Sequence, residues 1–527
     1  MIISHNKSIS SNLLYTIVLL PVLLLLVLPV LNIVVLTFFG TNFPESIASI
    51  NRDLFLLLLK SLAVSGIVAL ISTFIGIVLG FSLYKSDIKY RNVFRLLILI
   101  PLFISPYILA VAWKDISVLI FDYNTSIFEK TYSFFGMILV HSTIYSPLSI
   151  LIIGSALSNI SKQMEESALL MGSFKDMFFK ILLPLIRPSI ITSFVLILIF
   201  SISEFSVPAF LGFRVFTTEI FTQFSAFYNH NLAMLQSLLL IFICVILLVS
   251  ERKRISDSVF LSIGTRGREV KLYSSKKIVV FSYIILSFAV VFTVFIPVSI
   301  LVYQSFKTGT SKFMEAIFLL LPTIGNSVLL AVIGSIISVF IGFVAAYYSE
   351  ILNKKLMNMM LLVLFAIPST IFGIALIKFY NNSLLNFIYS SFGILIIGYV
   401  GKYSFISAKL IGNSIKQMPK SMEEAAVIQW IGFFKRIQKI VIPLVLPAIF
   451  ASFIINFLFC FGDLGTSIMV YPPGTEIMPI KVFTIMANAT ESLTSSMALI
   501  VFLVTILLVS LLFFIFKKII AKYNVNY

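Results

Sequence analysis

The sequence has little charge, little cysteine and little histidine. Asp, Glu, Lys and Arg make up 11% of its 527 residues, against 60% hydrophobic residues, whereas soluble domains carry about 25% charged residues. This composition excludes an ordinary soluble protein. The 2 cysteines, Cys244 and Cys460, lie far apart in apolar runs, so we expect no disulfide framework and no thiolate metal cluster. The 3 histidines have no metal-ligand spacing, so no metal site is predicted.

Motifs for nucleotide binding and catalysis are also missing from the sequence. The only Gly-Lys pair is Gly401-Lys402, where a P-loop would need glycine in place of Ile396 and Ser or Thr in place of Tyr403. No polar run is long enough for a soluble catalytic domain. We therefore expect a protein that is not an enzyme and that binds no cofactor itself.

The abundant feature is apolar sequence in runs long enough to cross a membrane, which takes about 20 residues. Twelve runs are found, near residues 13–39, 54–84, 96–112, 134–158, 189–211, 232–250, 278–303, 324–349, 359–380, 391–412, 448–470 and 491–515. They predict an all-α polytopic membrane protein. Pro101, Pro106 and Pro368 interrupt the third run of each half, so these two spans are the least regular.

The net charge of +17 is explained by topology. With the amino terminus inside, most of the 38 Lys and Arg residues fall on the cytoplasmic side, as the positive-inside rule requires. This predicts two cytoplasmic termini and argues against nucleic acid as a partner. The densest basic stretch, within 251–277, joins the two sets of spans and is predicted to be a cytoplasmic linker near anionic lipid headgroups.

The chain aligns with itself after a shift of about 260 residues. Aligned positions are Gly76 with Gly342, Pro101 with Pro368, Tyr145 with Tyr403, Glu165 and Glu166 with Glu423 and Glu424, and Pro184 with Pro443. We predict a first repeat at 1–250 and a second repeat at 278–527, each with six helices. Because each repeat has an even number of spans, both insert in the same orientation and form two parallel six-helix repeats.

A charged loop follows the fourth span of each repeat, near residues 159–188 and 413–447. In the second loop, Ser421-x-x-Glu424 matches a helix capping box, which predicts a short helix starting there and ending near Gly432. A second amphipathic helix is predicted to follow, with Phe433 and Ile440 on one side. Each loop is thus expected to be a helix-turn-helix that projects into the cytosol.

The two loops resemble the cytoplasmic Glu-Ala-Ala signature of permease subunits of binding-protein-dependent ABC importers. The resemblance implies the type I (MetI-like) permease fold and two partner ATP-binding cassette subunits, which would bind the ATP and Mg. It implies ATPase-coupling roles for Glu165, Glu166, Ala168, Gly172, Pro184, Glu423, Glu424, Ala425, Ala426, Gly432 and Pro443. Ser167 replaces the first alanine of the signature, and Trp430 occupies the usual glycine position, with Gly432 two residues later.

Two acids lie at equivalent positions within apolar spans, Glu204 and Asp463. Ionisable groups there are costly and suggest function. Two interpretations stay open: the carboxylates contact a cationic solute in the translocation pathway, or they cap helix breaks. Asn456 lies on the same helical face as Asp463 and extends the predicted polar stripe.

The segment after Asp463 contains Pro472-Pro473-Gly474 followed by Glu476, which resembles a loop of ferric-iron permeases. Fusion of two permease units in one chain is also typical of that subfamily. The resemblance implies an importer in the bacterial inner membrane that receives its solute, with ferric iron favoured, from an extracytoplasmic binding protein. Thiamine, phosphonate and polyamine importers share much of this plan. A gradient-driven secondary transporter with twelve spans is the alternative class.

Overall fold

The computed structural model describes residues 2–39, 51–121, 126–171, 173–258 and 272–524. Within these ranges the regular structure is α-helical, with four short π-helical segments and one isolated bridge between Ser86 and Tyr273. The predicted all-α class is confirmed. Residues 259–271 of the predicted linker lie outside the described residues, and so does Gly172.

The helices of the first part of the chain are α1 (Ile2–Pro21), α2 (Leu28–Phe39), α3 (Arg52–Lys85), α4 (Arg91–Phe103), α5 (Pro106–Phe121), α6 (Ser126–Ser158), α7 (Lys162–Met171), α8 (Phe174–Met177), α9 (Leu183–Ser203), α10 (Ser206–Phe210), α11 (Phe216–Ser225) and α12 (His230–Ser258).

The helices of the second part are α13 (Lys276–Val290), α14 (Ile296–Phe306), α15 (Ser311–Glu350), α16 (Leu356–Ala366), α17 (Ser369–Tyr380), α18 (Asn386–Tyr389), α19 (Gly393–Gln417), α20 (Lys420–Ile428), α21 (Phe433–Arg436), α22 (Ile442–Phe461), α23 (Ser467–Val470), α24 (Met478–Met486) and α25 (Glu491–Asn524).

The described residues contain ten helices long and apolar enough to cross a membrane, and up to twelve spans if each of two bent helix pairs counts as one. The bent pairs are Arg91–Phe103 with Pro106–Leu119, at 95°, and Leu356–Ala366 with Ser369–Tyr380, at 108°. Each predicted run overlaps one of these helices or pairs. The chain is therefore a multi-pass membrane protein, and its two irregular spans are the third of each half, as predicted.

Proline explains where these two spans bend. The residue before a proline is disfavoured in the α conformation, and Ile367, which precedes Pro368, is extended at φ −67° and ψ 131°. The first pair breaks at Ile104, which is extended, and at Ser105, which directly precedes Pro106. Pro101 lies inside α4 without breaking it.

Each π-helical segment lies just before another proline. The segments are Val22–Val27, Phe178–Leu182, Val291–Phe295 and Ile437–Val441. Pro29, Pro184, Pro297 and Pro443 follow in the next helical turn. A proline ring collides with the carbonyl four residues earlier and donates no hydrogen bond. The wider π turn accommodates this collision, so these helices continue through the membrane without a break.

The chain forms two compact units. The unit built mainly from the second repeat comprises Met1–Pro44, Leu319–Lys481 and Leu503–Tyr527, and the unit built mainly from the first repeat comprises Glu45–Phe318 and Val482–Phe502. The opening helices of each repeat thus belong to the unit formed mainly by the other repeat. The repeat boundaries drawn in the sequence stay a prediction, and the compact units divide the chain differently.

One close helix approach recurs in both units. A Cβ atom on Gly76 of α3 would lie 1.9 Å from Ser149 Oγ of α6. A Cβ atom on the aligned Gly342 of α15 would lie 2.3 Å from Ser407 Cβ of α19. Small residues allow membrane helices to approach this closely. The two repeats therefore share a packing detail as well as a sequence pattern.

Candidate functional site

Two short helices lie between membrane-length helices, at corresponding places in the two repeats. Helix α7 follows α6, and α20 follows α19. In each copy a helix of 4 residues and a π-helical segment then lead into the next membrane helix. The predicted helix-turn-helix is confirmed in the second loop; in the first loop the two helices are present, and Gly172 between them lies outside the described residues.

The start of α20 differs from the prediction. The helix begins at Lys420, with Pro419 at the N-cap and no side-chain capping bond. The predicted capping box of Ser421 and Glu424 is therefore wrong. Because the helix starts before Ser421, this hydroxyl lies past the N-cap position from which a side chain reaches the unpaired backbone N–H groups.

Glu165 of α7 is buried and anchors the first loop helix. Its side chain forms an ion pair with Lys85, the last residue of α3, and both side chains are 0% exposed. Tyr273 Oη donates a second hydrogen bond to Glu165 Oε2 at 2.5 Å. Burial, and the neighbouring Glu165 carboxylate, raise the pKa of Tyr273 well above its ordinary value, so this phenol remains a donor.

Glu423 of α20 is the aligned anchor of the second loop helix, and its environment differs. Tyr347 Oη of α15 donates to Glu423 Oε1 at 2.5 Å. Glu423 Oε2 is buried without a hydrogen-bond partner among the described residues. Counted from the aligned Gly76 and Gly342, Ile351 takes the place of Lys85. The first anchor thus contains a buried cation that the sequence of the second repeat does not supply at this position.

The neighbouring acids, Glu166 and Glu424, are exposed. Each loop also exposes large apolar side chains, among them Leu170 at 89% and Ile428 at 76%. Each loop helix therefore combines one buried, anchoring acid with an outward face that is both acidic and apolar. Such a face can dock into a groove of another protein.

The burial of the signature alanines is described only in the second loop. Ala425 is exposed and Ala426 is buried. Ala168 lies in α7, but its side chain lies outside the described part of the structure, and Gly172 lies outside it altogether.

Trp430, and not Gly432, adopts the left-handed turn that ends α20. Trp430 has a φ of 62°. The N–H of Ile431 donates to Ala426 O, and the N–H of Trp430 donates to Val427 O. This is the Schellman pattern that usually carries glycine at the left-handed position. Gly432 has a φ of −61° and lies at the N-cap of α21, so the left-handed conformation falls on Trp430 and not on this glycine.

Pro184 and Pro443 both lie in the first turn of a membrane helix, α9 and α22. Each of these helices is continuous with the π-helical segment before it, and the wider π turn accommodates the proline. These two prolines therefore mark where the loop structure gives way to the membrane helix in each repeat.

Glu204 and Asp463 occupy equivalent helix breaks. Glu204 follows the end of α9, and its carboxylate accepts hydrogen bonds from the backbone N–H groups of Ser206 at 2.9 Å and Val207 at 2.8 Å. Asp463 follows α22 and accepts one from the N–H of Thr466 at 3.2 Å. Both side chains therefore cap the next short segment, as one of the two interpretations expects. Contact with a solute stays a prediction.

Two further polar side chains near these acids, His141 and Asn456, form hydrogen bonds of their own. His141 Nε2 lies 3.5 Å from Glu204 Oε2, and its Nδ1 lies 2.9 Å from Ser201 Oγ. Asn456 is buried, and its Nδ2 donates to Ser407 Oγ of α19. Asn456 thus links two helices of one unit, and its predicted place in the pathway is not tested by this contact.

Sequence reasoning did not identify the residues that hold these sites. Lys85, Tyr273 and Tyr347 anchor the loop helices, and Lys402 donates to the carbonyls of Phe365 and Ile367 at the bend between α16 and α17. Lys85 and Lys402 were detectable as lone cations at or inside apolar spans. The two tyrosines carried no such signal.

In the described part of the chain, no group of three or more His, Cys, Asp or Glu side chains could hold a metal ion.

The fold and the duplicated loops define a transport permease. The family described as "Binding-protein-dependent transport system inner membrane component" matches residues 72–253 and again 338–523, and the chain belongs to it. It is a fused, two-unit permease of the ABC-importer class.

Its relatives include ferric-transport permeases. A Haemophilus influenzae protein named as ferric transport system permease protein FbpB 1 is 25% identical over 517 residues, 91% of this chain and 80% of that protein. The ferric transport system permease protein FbpB of Actinobacillus pleuropneumoniae is 25% identical, over 79% of this chain and 65% of its own. The spermidine/putrescine permease PotC of Escherichia coli is 24% identical over 41% of this chain and 86% of its own.

Proposed function

We propose that this chain is the membrane-spanning subunit of an ATP-driven importer. The observation that carries the proposal is the pair of anchored loop helices, each with a buried acid that fixes it to a membrane helix and an exposed acid beside apolar side chains. Two such helices would seat in two cytosolic ATP-binding cassette subunits, which bind the ATP and Mg. The chain itself catalyses no covalent chemistry.

The anchors give the loop helices a mechanical role. A buried, hydrogen-bonded carboxylate resists displacement because separating it from its partners leaves an unpaired charge in a low-dielectric environment. Movement of α7 is therefore passed to α3 through Glu165 and Lys85, and movement of α20 is passed to α15 through Glu423 and Tyr347. Closure of the ATPase subunits would thereby move the membrane helices.

Transport then follows an alternating-access cycle. An extracytoplasmic binding protein docks on the outer face and delivers its solute when the membrane subunit opens outward. Nucleotide hydrolysis then returns the loop helices to their starting positions and opens the membrane subunit to the cytoplasmic side. This requires both loops to be cytoplasmic, hence cytoplasmic termini and twelve spans in the bacterial inner membrane, with each bent pair crossing once.

Ferric iron is the solute that we favour. The support comes from relatives named as ferric-transport permeases that align over most of the chain, from the fused plan, and from the 472–476 loop, where Gly474 takes a φ of 78°. The second candidate is a polyamine, favoured by the shorter similarity to PotC. Thiamine and phosphonate remain alternatives, and Glu204 and Asp463 suit a cationic solute.

The coupling role is tested by Glu166→Arg combined with Glu424→Arg. Reversing both exposed charges leaves the buried anchors in place, so the chain should still assemble in the membrane but retain less ATPase on purification and lose solute-stimulated ATP hydrolysis. Glu315→Arg, which reverses an exposed acid outside the two loops, is the matched control. Unchanged ATPase retention and transport in the double variant would reject the coupling role.

The solute and the energy source are tested separately. Cells producing the chain with its partner subunits are given radiolabelled ferric iron or putrescine, and uptake of one but not the other assigns the solute. Vesicles containing only this chain and an ion gradient test the alternative class. Uptake there without ATPase subunits would establish a secondary transporter.

A further inference from the structure

A basic cavity lies at the end of α3. It has a volume of about 450 Å³ and is lined by residues 87–93 and Leu272. The walls are the connection between α3 and α4 and the strand-like residues that precede α13. Ser86 and Tyr273 hold these walls together through their backbone bridge.

Cations dominate this cavity. Lys89 and Arg91 line it, and Arg95 lies one helical turn beyond Arg91 on α4. Asp87 is the single acid among the lining residues, and its Oδ2 accepts a hydrogen bond from Ser274 Oγ at 3.1 Å. The local charge is therefore positive and suits an anion.

The guanidinium groups of Arg91 and Arg95 are held in place, but not all of their N–H donors have hydrogen-bond partners. Arg91 Nη2 donates to Ser86 O at 2.5 Å, and the Arg95 guanidinium lies 4.3 Å from the ring centroid of Tyr84. The Nε atoms of both arginines are buried without a hydrogen-bond partner among the described residues. Buried donors are normally paired, so each guanidinium group has hydrogen-bonding capacity that the described residues leave unused.

An apolar strip continues from the basic end. Val93 is 51% exposed and Leu96 70% exposed on α4. Helix α13 packs beside α4, with the rings of Phe94 and Tyr283 6.1 Å apart, and exposes Ile284 at 65%. A ligand with a charged head and an apolar tail matches this arrangement, whereas a free inorganic anion would use the head site only.

The second repeat lacks the two arginines. Counted from the aligned Pro101 and Pro368, Arg91 and Arg95 correspond to Asn358 and Leu362. The paired arginines are therefore not a requirement of the repeated fold, and the second repeat offers an internal comparison.

We propose that this cavity binds the phosphate headgroup of an anionic phospholipid, with an acyl chain along Val93 and Leu96. Basic pockets between membrane helices recognise such headgroups through charge and hydrogen bonds. The proposal does not depend on the transported solute or on the ATPase partners, because it concerns the isolated chain and the lipid around it.

The test measures lipid binding to the purified full-length chain by native mass spectrometry, with phosphatidylglycerol and phosphatidylcholine as probes. The wild type should retain phosphatidylglycerol preferentially. Arg91→Gln with Arg95→Gln should weaken that binding roughly thirtyfold, from about 1 kcal/mol for each basic residue. Lys354→Gln with Lys355→Gln removes the same charge from the corresponding connection of the second repeat and should leave binding unchanged.

Arg91→Lys with Arg95→Lys keeps both positive charges, so this variant should retain most of the preference for phosphatidylglycerol. That result would show that the loss of binding in the Gln pair is not caused by a folding defect. Equal retention of phosphatidylcholine would overturn the proposal, as would equal losses in the two Gln pairs. Displacement of phosphatidylglycerol by millimolar inorganic phosphate would assign the cavity to a soluble anion instead. Failure of transport leaves these measurements unaffected, so the two proposals can fail independently.

Discussion

Replacing Lys85 with methionine should destabilise the first loop helix, because it leaves the buried Glu165 carboxylate without its cation. Lys85 and Glu165 are both 0% exposed, and Tyr273 Oη donates to the other carboxylate oxygen. Methionine fills a similar volume without charge, so Glu165 keeps the tyrosine hydrogen bond but loses its cation. Removing one partner of a buried ion pair lowers the free energy of unfolding by about 3–5 kcal/mol, and we expect a loss in that range for Lys85→Met.

A second substitution separates the charge effect from a packing effect. In Lys85→Met with Glu165→Gln, both charges are gone and the glutamine still accepts the Tyr273 hydrogen bond. Replacing a whole buried pair with neutral groups is often close to neutral, so the double variant should recover most of the loss. Lys312→Met is the matched control, because Lys312 and Glu315 form an exposed pair worth at most about 1 kcal/mol.

The assay is thermal unfolding of the detergent-solubilised chain, together with the amount of ATPase retained on purification. Lys85→Met should unfold at the lowest temperature and retain the least ATPase. If Lys85→Met costs no more than Lys312→Met, or if the double variant is as unstable as the single variant, the buried pair does not hold the loop helix.

Three further predictions concern the turn, the topology and the carboxylates. Trp430→Gly should stabilise the chain by about 1 kcal/mol in thermal unfolding, because a left-handed residue with a Cβ costs about 1–2 kcal/mol, and Trp430→Ala should gain less. In intact spheroplasts, a membrane-impermeant maleimide should label Leu384→Cys and not Leu170→Cys; both positions are more than 80% exposed, and the native cysteines are buried. Glu204→Gln and Asp463→Asn keep a capping oxygen, so they should preserve assembly and reduce uptake of a cationic solute.

Specific results would contradict each of these. Equal stabilities of the glycine and alanine variants at position 430 would remove the backbone explanation. Labelling of Leu170→Cys in sealed spheroplasts would place the first loop outside and end the coupling proposal. Unchanged uptake in the carboxylate variants would leave capping as the whole role of Glu204 and Asp463.

Much of this molecule follows from local sequence. The apolar runs, the bends at Pro106 and Pro368, and the two loop helices depend on composition and spacing over a few turns. The repeat follows from comparing the chain with itself, and the recurrence of the Gly76 and Gly342 contacts gives it a structural counterpart. The capping box failed because the N-cap lies at Pro419, two residues before Ser421, which is within the uncertainty of any boundary derived from sequence.

The anchoring partners of the loop helices could not be derived this way. Lys85 is 80 residues from Glu165 in the chain, and Tyr273 is 108 residues from it. The aligned Glu423 uses Tyr347 instead, so even the repeat did not predict the partner. Likewise, Trp430 adopts the glycine conformation because the Schellman bonds at the end of α20 impose it.

By itself, the sequence determined the class, the number of apolar runs and the position of the loops, because hydrophobicity and spacing act over short distances. The tertiary structure alone decided which helices form each unit, which acid of each Glu-Glu pair is buried, and which cation or tyrosine meets it. Those choices depend on packing between distant segments, where a buried charge is tolerated only beside the partners that the fold brings to it.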